Sequence, residues 1–62
     1  MWKRQPTTRS IVRWTKDSSI LEIVYNKNLN GYSVKLNFVY ILHLDNLENA
    51  KKYCYDYMEK NP

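Results

Sequence analysis

Seven apolar residues alternate without a break along one segment of this chain. They are Tyr32, Val34, Leu36, Phe38, Tyr40, Leu42 and Leu44. Alternation at period two is the pattern of a half-buried β-strand. A single strand of this length would extend roughly 40 Å at about 3.3 Å per residue, which is too long for a domain of 62 residues. The segment therefore predicts two strands separated by a turn or sharp bulge between Leu36 and Val39.

The length of that turn decides which face of the sheet the second strand presents. A loop with an odd number of residues would keep the even-numbered side chains on one face. A two-residue turn would move them to the opposite face after the turn. The alternation is compatible with both, so the face presented by residues 38–44 stays open at this point.

Two shorter runs upstream also favour strands. Val12 and Trp14 alternate with polar residues, and the segment 20–27 is rich in β-branched and aromatic side chains. Turn-forming residues follow each run, at 16–19 and 28–31, and the second of these turns ends in Asn-Gly. We expect Trp14 to be a core residue, because aromatic side chains dominate small cores.

A single helix is predicted at the C-terminal end. Asp45 and Glu48 have the spacing of a capping box, with Asp45 as the N-cap. One apolar stripe recurs at spacings of three and four residues and comprises Leu47, Ala50, Cys54, Tyr57 and Met58. The fold class is therefore α+β, with a three- to four-stranded antiparallel β-meander packed on one C-terminal α-helix. The second face of the sheet is left open.

Positive charge is concentrated near the N-terminus. Residues 1–16 carry a net charge of +5 without a single acid, and the remaining 46 residues carry −1. A clustered basic segment attracts polyanions. Residues 1–9 contain Pro6 and no periodicity, so we expect a flexible basic arm followed by one small domain over residues 10–62.

The residues needed for common catalytic and metal sites are scarce. Cys54 is the only cysteine and His43 the only histidine, which excludes an intrachain disulfide and a Cys/His zinc site. We expect Cys54 to be a core residue, the protein not to be an enzyme, and no cofactor or metal to be bound. The longest apolar stretch, 38–42, is too short to cross a bilayer. A free cysteine and the absence of a signal-peptide pattern favour the cytoplasm.

Residues 21–58 carry a family pattern. Its parts are the strand LEIVYNK, the turn NLNG, the strands YSVKLN and VYILHL, and the helix DNLENAKKYCYDYM. This pattern resembles the AP2-like fold of plant transcription factors and the arm-type DNA-binding domains of phage integrases. The resemblance implies three antiparallel strands in the DNA major groove with a helix behind them. Those families read DNA with arginines and tryptophans on the sheet, whereas these strands offer Lys27, Lys35 and tyrosines.

Two functions from different classes fit these observations. The first is a small phage- or mobile-element-type accessory protein that binds nucleic acid, DNA in preference to RNA, with its basic arm and open sheet face. The residues predicted to contact nucleic acid are Lys3, Arg4, Arg9, Arg13, Lys16 and Lys35. The alternative is a phage-encoded inhibitor of the anti-defence type that binds a host protein.

Aromatic residues on the surface would serve either function. Trp2, Tyr25 and Tyr40 are predicted to contact a partner, because tyrosine and tryptophan are enriched in interfaces of any kind. A homodimer formed through the sheet face is a third arrangement compatible with the sequence. The many asparagines, lysines and tyrosines suggest AT-rich coding DNA, so the expected location is the cytoplasm of a bacterial host.

Overall fold

The chain forms one antiparallel sheet and one helix. The computed structural model describes residues 1–62. Its elements are β1 (Lys3–Gln5), β2 (Val12–Lys16), β3 (Ser19–Asn26), β4 (Gly31–Leu36), β5 (Val39–Leu44) and α1 (Leu47–Lys60). The strands lie in the order β1-β2-β3-β4-β5, and each is antiparallel to its neighbours. The predicted α+β meander with a C-terminal helix is confirmed, with five strands rather than three or four.

The additional strand is β1, within the segment expected to be an arm. Lys3–Gln5 pairs with Arg13–Thr15 at the edge of the sheet, so the prediction that residues 1–9 lie outside the sheet is wrong for this part. Trp2, the residue before β1, holds the N-terminal segment against the C-terminal end of the chain. Its indole Nε1 donates a hydrogen bond of 2.7 Å to the Asn61 carbonyl, and its ring meets Tyr57 edge to face at 6.1 Å.

A two-residue turn divides the alternating segment, as expected, between Leu36 and Val39. Asn37 and Phe38 form the turn with φ angles of 52° and 68°. Positive φ at both positions is the geometry of a type I′ turn, whose twist matches that of the flanking strands. Asn37 also receives a hydrogen bond from the Ile20 amide through its side-chain oxygen, at 2.8 Å.

A bulge in β5 then reverses the change of face caused by this turn. Lys35 pairs with Tyr40, but the next pair is Val34 with Leu42, so Ile41 has no residue opposite it. The extra residue in β5 returns Leu42 and the residues after it to the side of the sheet that carries Val34. Both a turn and a bulge are therefore present, and the apolar residues of β4 and β5 converge on one face.

That face packs against α1. The buried apolar side chains are Val12, Trp14, Leu21, Ile23, Val34, Ala50 and Cys54. The predicted helix stripe is confirmed, because Ala50 and Cys54 are buried and the other three members pack against the same core. Trp14 is a core residue as expected, with 6% of its surface exposed. It also contacts Tyr55 of α1 edge to face at 5.6 Å.

The helix is capped one residue later than the sequence predicts. Asn46 is the N-cap, with an extended backbone, and its Oδ1 accepts a hydrogen bond of 2.8 Å from the Asn49 amide. The Asn46 carbonyl accepts the Ala50 amide at 3.2 Å. An asparagine and an aspartate are equally good caps, so the neighbouring Asp45 was an equivalent candidate in the sequence.

Replacing Asn46 by alanine should lower the free energy of unfolding by about 1 kcal/mol, because an orphan helix amide loses its acceptor. Asp45→Ala is the matched control and should cost less than about 0.5 kcal/mol, as a surface substitution does. Urea denaturation followed by circular dichroism measures both. A larger loss for Asp45→Ala would assign the cap to Asp45.

Gly31 is required by a close approach rather than by its backbone angle. The positive φ in this turn, 52°, belongs to Asn30, and Gly31 has none. A Cβ atom on Gly31 would lie 2.5 Å from the Cε1 and Nε2 atoms of His43 and 2.7 Å from the Leu44 carbonyl oxygen. The residue therefore lets the His43 ring lie across the start of β4.

Gly31→Ala should lower the free energy of unfolding by about 1–3 kcal/mol, the usual cost of overpacking. Adding His43→Ala should recover part of this loss, since the contact with the Leu44 carbonyl remains. Asn30→Gly is the control and should cost less than Gly31→Ala, because glycine adopts a positive φ without strain and only the exposed hydrogen bond from the Tyr25 hydroxyl is lost. Thermal denaturation compares the four proteins, and an unperturbed Gly31→Ala variant would contradict the close approach.

Candidate functional site

One row of side chains crosses all five strands on the face opposite the helix. Its members are paired in register from strand to strand: Gln5, Arg13, Glu22, Lys35 and Tyr40. Residues directly opposite each other in antiparallel strands lie on the same face and interact. The sheet register therefore places one carboxylate between two cations at the centre of the open face.

The carboxylate in this row is buried and held by arginine. Glu22 has only 4% of its surface exposed. Arg13 donates to its Oε2 from Nε at 3.1 Å and from Nη2 at 3.0 Å, and this is the only ion pair in the chain. A carboxylate removed from water needs such a partner. Lys35 of β4 is the cross-strand neighbour of Glu22 on the same face, on the side of Glu22 away from Arg13. Its ammonium group has no ion-pair partner.

The loop between β1 and β2 brings a third cation to this place. The Thr7 and Ser10 hydroxyls are 2.8 Å apart, and the Ser10 amide donates to Thr7 Oγ1 at 3.2 Å. The Ile11 amide donates to the Ile23 carbonyl at 2.8 Å, which ties the end of the loop to β3. Arg9 is exposed on this ordered loop.

These groups line a concave site of about 330 Å³ on the open face, which we call the basic depression. Its lining residues are Arg9, Ser10, Arg13, Glu22, Val24, Lys35 and Phe38. A second concavity of about 320 Å³ adjoins it and shares Arg9 and Arg13. Three cations and one carboxylate leave the basic depression positively charged at neutral pH.

An aromatic ring stands at the rim of the basic depression. Phe38 occupies the second position of the β4–β5 turn and is 63% exposed. A positive φ is unusual for a side chain as bulky as that of phenylalanine. The turn therefore holds an apolar ring in water beside three cations, where it is available to stack on a flat ligand.

The structure brings together three of the six residues predicted to contact nucleic acid, namely Arg9, Arg13 and Lys35. Lys3 lies on the open face at the outer strand, opposite Thr15. Arg4, in contrast, pairs with Trp14 and so lies on the helix side.

Lys16 is also separated from the basic depression. Its Nζ donates to the carbonyl of Asn61 at 3.2 Å and to Pro62, and it lies 5.7 Å from the centre of the Trp2 ring. These contacts tie the end of β2 to the end of the chain. The basic residues near the N-terminus thus form no single patch, because the alternation along β1 and β2 divides them between two faces.

The aromatic residues predicted to contact a partner are dispersed. Trp2 is half-buried against α1. Tyr25 is exposed at the end of the sheet, where its ring meets Tyr32 at 5.5 Å and its hydroxyl bonds Asn30 at 3.2 Å. Tyr40 alone lies in the row that contains Arg13 and Lys35.

Four residues of the basic depression were not identified from the sequence: Ser10, Glu22, Val24 and Phe38. Glu22 alternates with apolar residues in β3, and only the register shows that it faces Arg13. Phe38 continues the apolar alternation of its segment and therefore resembles a strand residue. The Asn-Phe step after Leu36 was the one available signal, since asparagine is a common residue in turns.

Cys54 lies on the other side of the sheet, in the core, as expected. Burial raises the pKa of its thiol from 9.0 to about 12. Low dielectric surroundings favour the neutral thiol over the thiolate, which is the reactive form. The residue is therefore part of the packing and contributes nothing to the basic depression.

The Cys54 pKa predicts how stability changes in alkali. Between pH 9.0 and about 12 the unfolded thiol is ionised while the folded thiol keeps its proton, so the free energy of unfolding falls as pH rises through that window. Cys54→Ala should show a shallower fall than the parent protein, because it lacks the buried thiol. Urea titrations at several pH values supply both slopes, and equal slopes would contradict the raised pKa.

Comparison with protein-family models, curated protein sequences and solved structures finds no match to this chain. The resemblance to AP2-like and integrase arm-type domains therefore stays a prediction. None of the chain's helical structure is long and apolar enough to cross a membrane.

Proposed function

We propose that this protein is a small nucleic-acid-binding accessory protein of the phage or mobile-element type, and that it binds through the open face of its sheet. The observation that carries the proposal is the basic depression, where Arg9, Arg13 and Lys35 converge beside the exposed Phe38 ring. We place the phosphate backbone along the cations and a base or sugar against the aromatic rim.

Phosphate binding follows from the charge and the hydrogen-bond donors of the basic depression. Lysine and arginine that neutralise phosphates release condensed counterions, which is the main source of affinity in non-specific binding. Ser10 and Thr7 add hydroxyl groups at the edge of the same surface, and hydroxyl side chains are frequent phosphate ligands. Lys3 extends the positive surface along the open face.

Limited sequence selectivity follows from the position of Glu22. Carboxylates and arginines read base edges in the major groove when their polar atoms are free. Here Glu22 is buried and Arg13 donates two hydrogen bonds to it, so Glu22 is not available to read bases and Arg13 is held in one orientation. Phosphate contacts from Arg9 and Lys35 then dominate, with stacking on Phe38 as a sequence-tolerant addition.

DNA is the preferred ligand in this proposal. The families that residues 21–58 resemble place three antiparallel strands against DNA, and β3, β4 and β5 followed by α1 have that order here. The location that fits this function is the cytoplasm of a bacterial host, where the chain meets DNA directly.

The salt dependence of binding tests the proposal. Binding of a fluorescein-labelled duplex, followed by anisotropy at several salt concentrations, should weaken steeply as salt rises. Arg9→Ala and Lys35→Ala should each make the slope of log K against log salt shallower by about 0.9, the value for one phosphate contact on duplex DNA. Arg13 is left unchanged in this experiment, because its removal would leave Glu22 buried without a partner.

Lys52→Ala is the matched control. Lys52 is exposed on α1, on the far side of the molecule from the open face, and its removal lowers the net charge by the same amount. The slope should not change for this variant. Equal slopes for all four proteins would mean that the basic depression is not the contact, and no binding at low salt would favour the inhibitor that docks on a host protein.

A further inference from the structure

The two edges of the sheet are protected to very different degrees. β1 has three residues, includes Lys3 and Arg4, and is followed by Pro6. Charged residues, proline and short length are the usual means by which proteins prevent edge strands from pairing with other chains. β5, at the other edge, has six residues and contains neither a charged residue nor a proline, so the bulge at Ile41 is its one protecting feature.

This edge also carries the longest run of exposed large apolar residues in the chain. Four consecutive residues from the turn into β5 are exposed: Phe38 at 63%, Val39 at 66%, Tyr40 at 51% and Ile41 at 41%. Exposed apolar groups beside the free main-chain donors and acceptors of an edge strand form a surface suited to another strand. A contiguous patch of this kind marks an interaction site.

We propose that β5 pairs antiparallel with β5 of a second copy of this chain, about a two-fold axis perpendicular to the sheet. A strand without charges is complementary to itself, and a two-fold axis brings the same patch of both copies together. The result is a continuous ten-stranded sheet whose outer edges are the two protected β1 strands, so the assembly closes at two copies.

Charge does not oppose the pairing of two copies, although each has a net charge of +4. The cations of the open face lie on the β4, β2 and β1 side of β5. The nearest of these cations in the paired sheet are the Lys35 residues of the two copies. Each lies on β4, so three strand spacings, or about 14 Å, separate them. That distance exceeds the Debye length of about 8 Å at physiological ionic strength, so their repulsion is screened.

The size of the contact sets its strength. A stable interface usually buries about 800 Å² on each partner. A six-residue edge with three exposed apolar side chains, and Phe38 in the turn before it, is smaller than that. We therefore expect a dimer that forms and dissociates with protein concentration rather than a permanent one.

Sedimentation equilibrium without nucleic acid tests the assembly. The mass should rise with concentration from the 7.5 kDa of one chain to twice that value and no further. Val39→Lys should keep the monomer mass, because a charge enters the paired edge. Ile11→Lys is the control, since Ile11 is an exposed isoleucine ahead of β2, and its mass should follow the parent protein.

A monomer at every concentration would overturn the proposal and leave the β5 edge for a strand of another protein. A mass that continues to rise beyond two copies would overturn the closed two-fold arrangement. Circular dichroism on Val39→Lys establishes that the variant is folded before its mass is compared.

Disulfide trapping locates the axis without relying on a destabilising charge. Single cysteines are placed in turn at positions 39, 40, 41 and 42, with Ile11→Cys as control, and the native Cys54 is buried. Only a residue near the two-fold axis meets its own counterpart within the Cα separation of about 4.4–6.8 Å that a disulfide accepts. Cross-linking that peaks at one position at least tenfold above Ile11→Cys supports the pairing, and no position above the control overturns it.

Discussion

A single helix covers a single face of this sheet, so β2, β3, β4 and β5 must present their apolar side chains on the same side. The β4–β5 connection is where this constraint is hardest to meet, because the two-residue turn at Asn37 and Phe38 moves the following residues to the wrong face. The extra residue in β5, Ile41, restores the alternation, so that Leu42 packs with Val34. The packing of the second half of β5 into the core depends on this one bulge.

The same alternation determines what the open face can bind. It sends Glu22 to the side away from the helix, where the neighbouring side chains cover it. Removing a carboxylate from water costs several kcal/mol, and its arginine partner recovers that cost only with good hydrogen-bond geometry. Arg13 therefore has a structural role, and the positive charge available to a ligand comes from Arg9 and Lys35. A neutral residue in place of Glu22 would free Arg13 but leave the centre of the row without its organising charge.

The features predicted from the sequence were those that appear as a regular pattern of residue types along the chain. The stripe of α1 follows from periodicity, the burial of Trp14 from the weight of aromatic side chains in small cores, and the turn before Val39 from the length of the alternating segment. β1 was missed because Lys3–Gln5 joins the sheet through its main chain at an edge and needs no apolar side chain. The grouping of Arg9 with Lys35 depends on register across three strands, and the place of Phe38 depends on turn length. Neither the register between strands nor the length of a turn can be deduced from the alternation of residues within one segment.

The order of the strands also governs how the chain folds. Each strand pairs only with the strand next to it in the sequence, so every hairpin closes a short loop at low entropic cost. Folding is fast where such local contacts dominate. The bonds from Trp2 and Lys16 to Asn61 are different, because they join residues 59 and 45 positions apart. They can form only after the sheet and helix exist, and the two chain ends are therefore the last part of the molecule to close and the first to open.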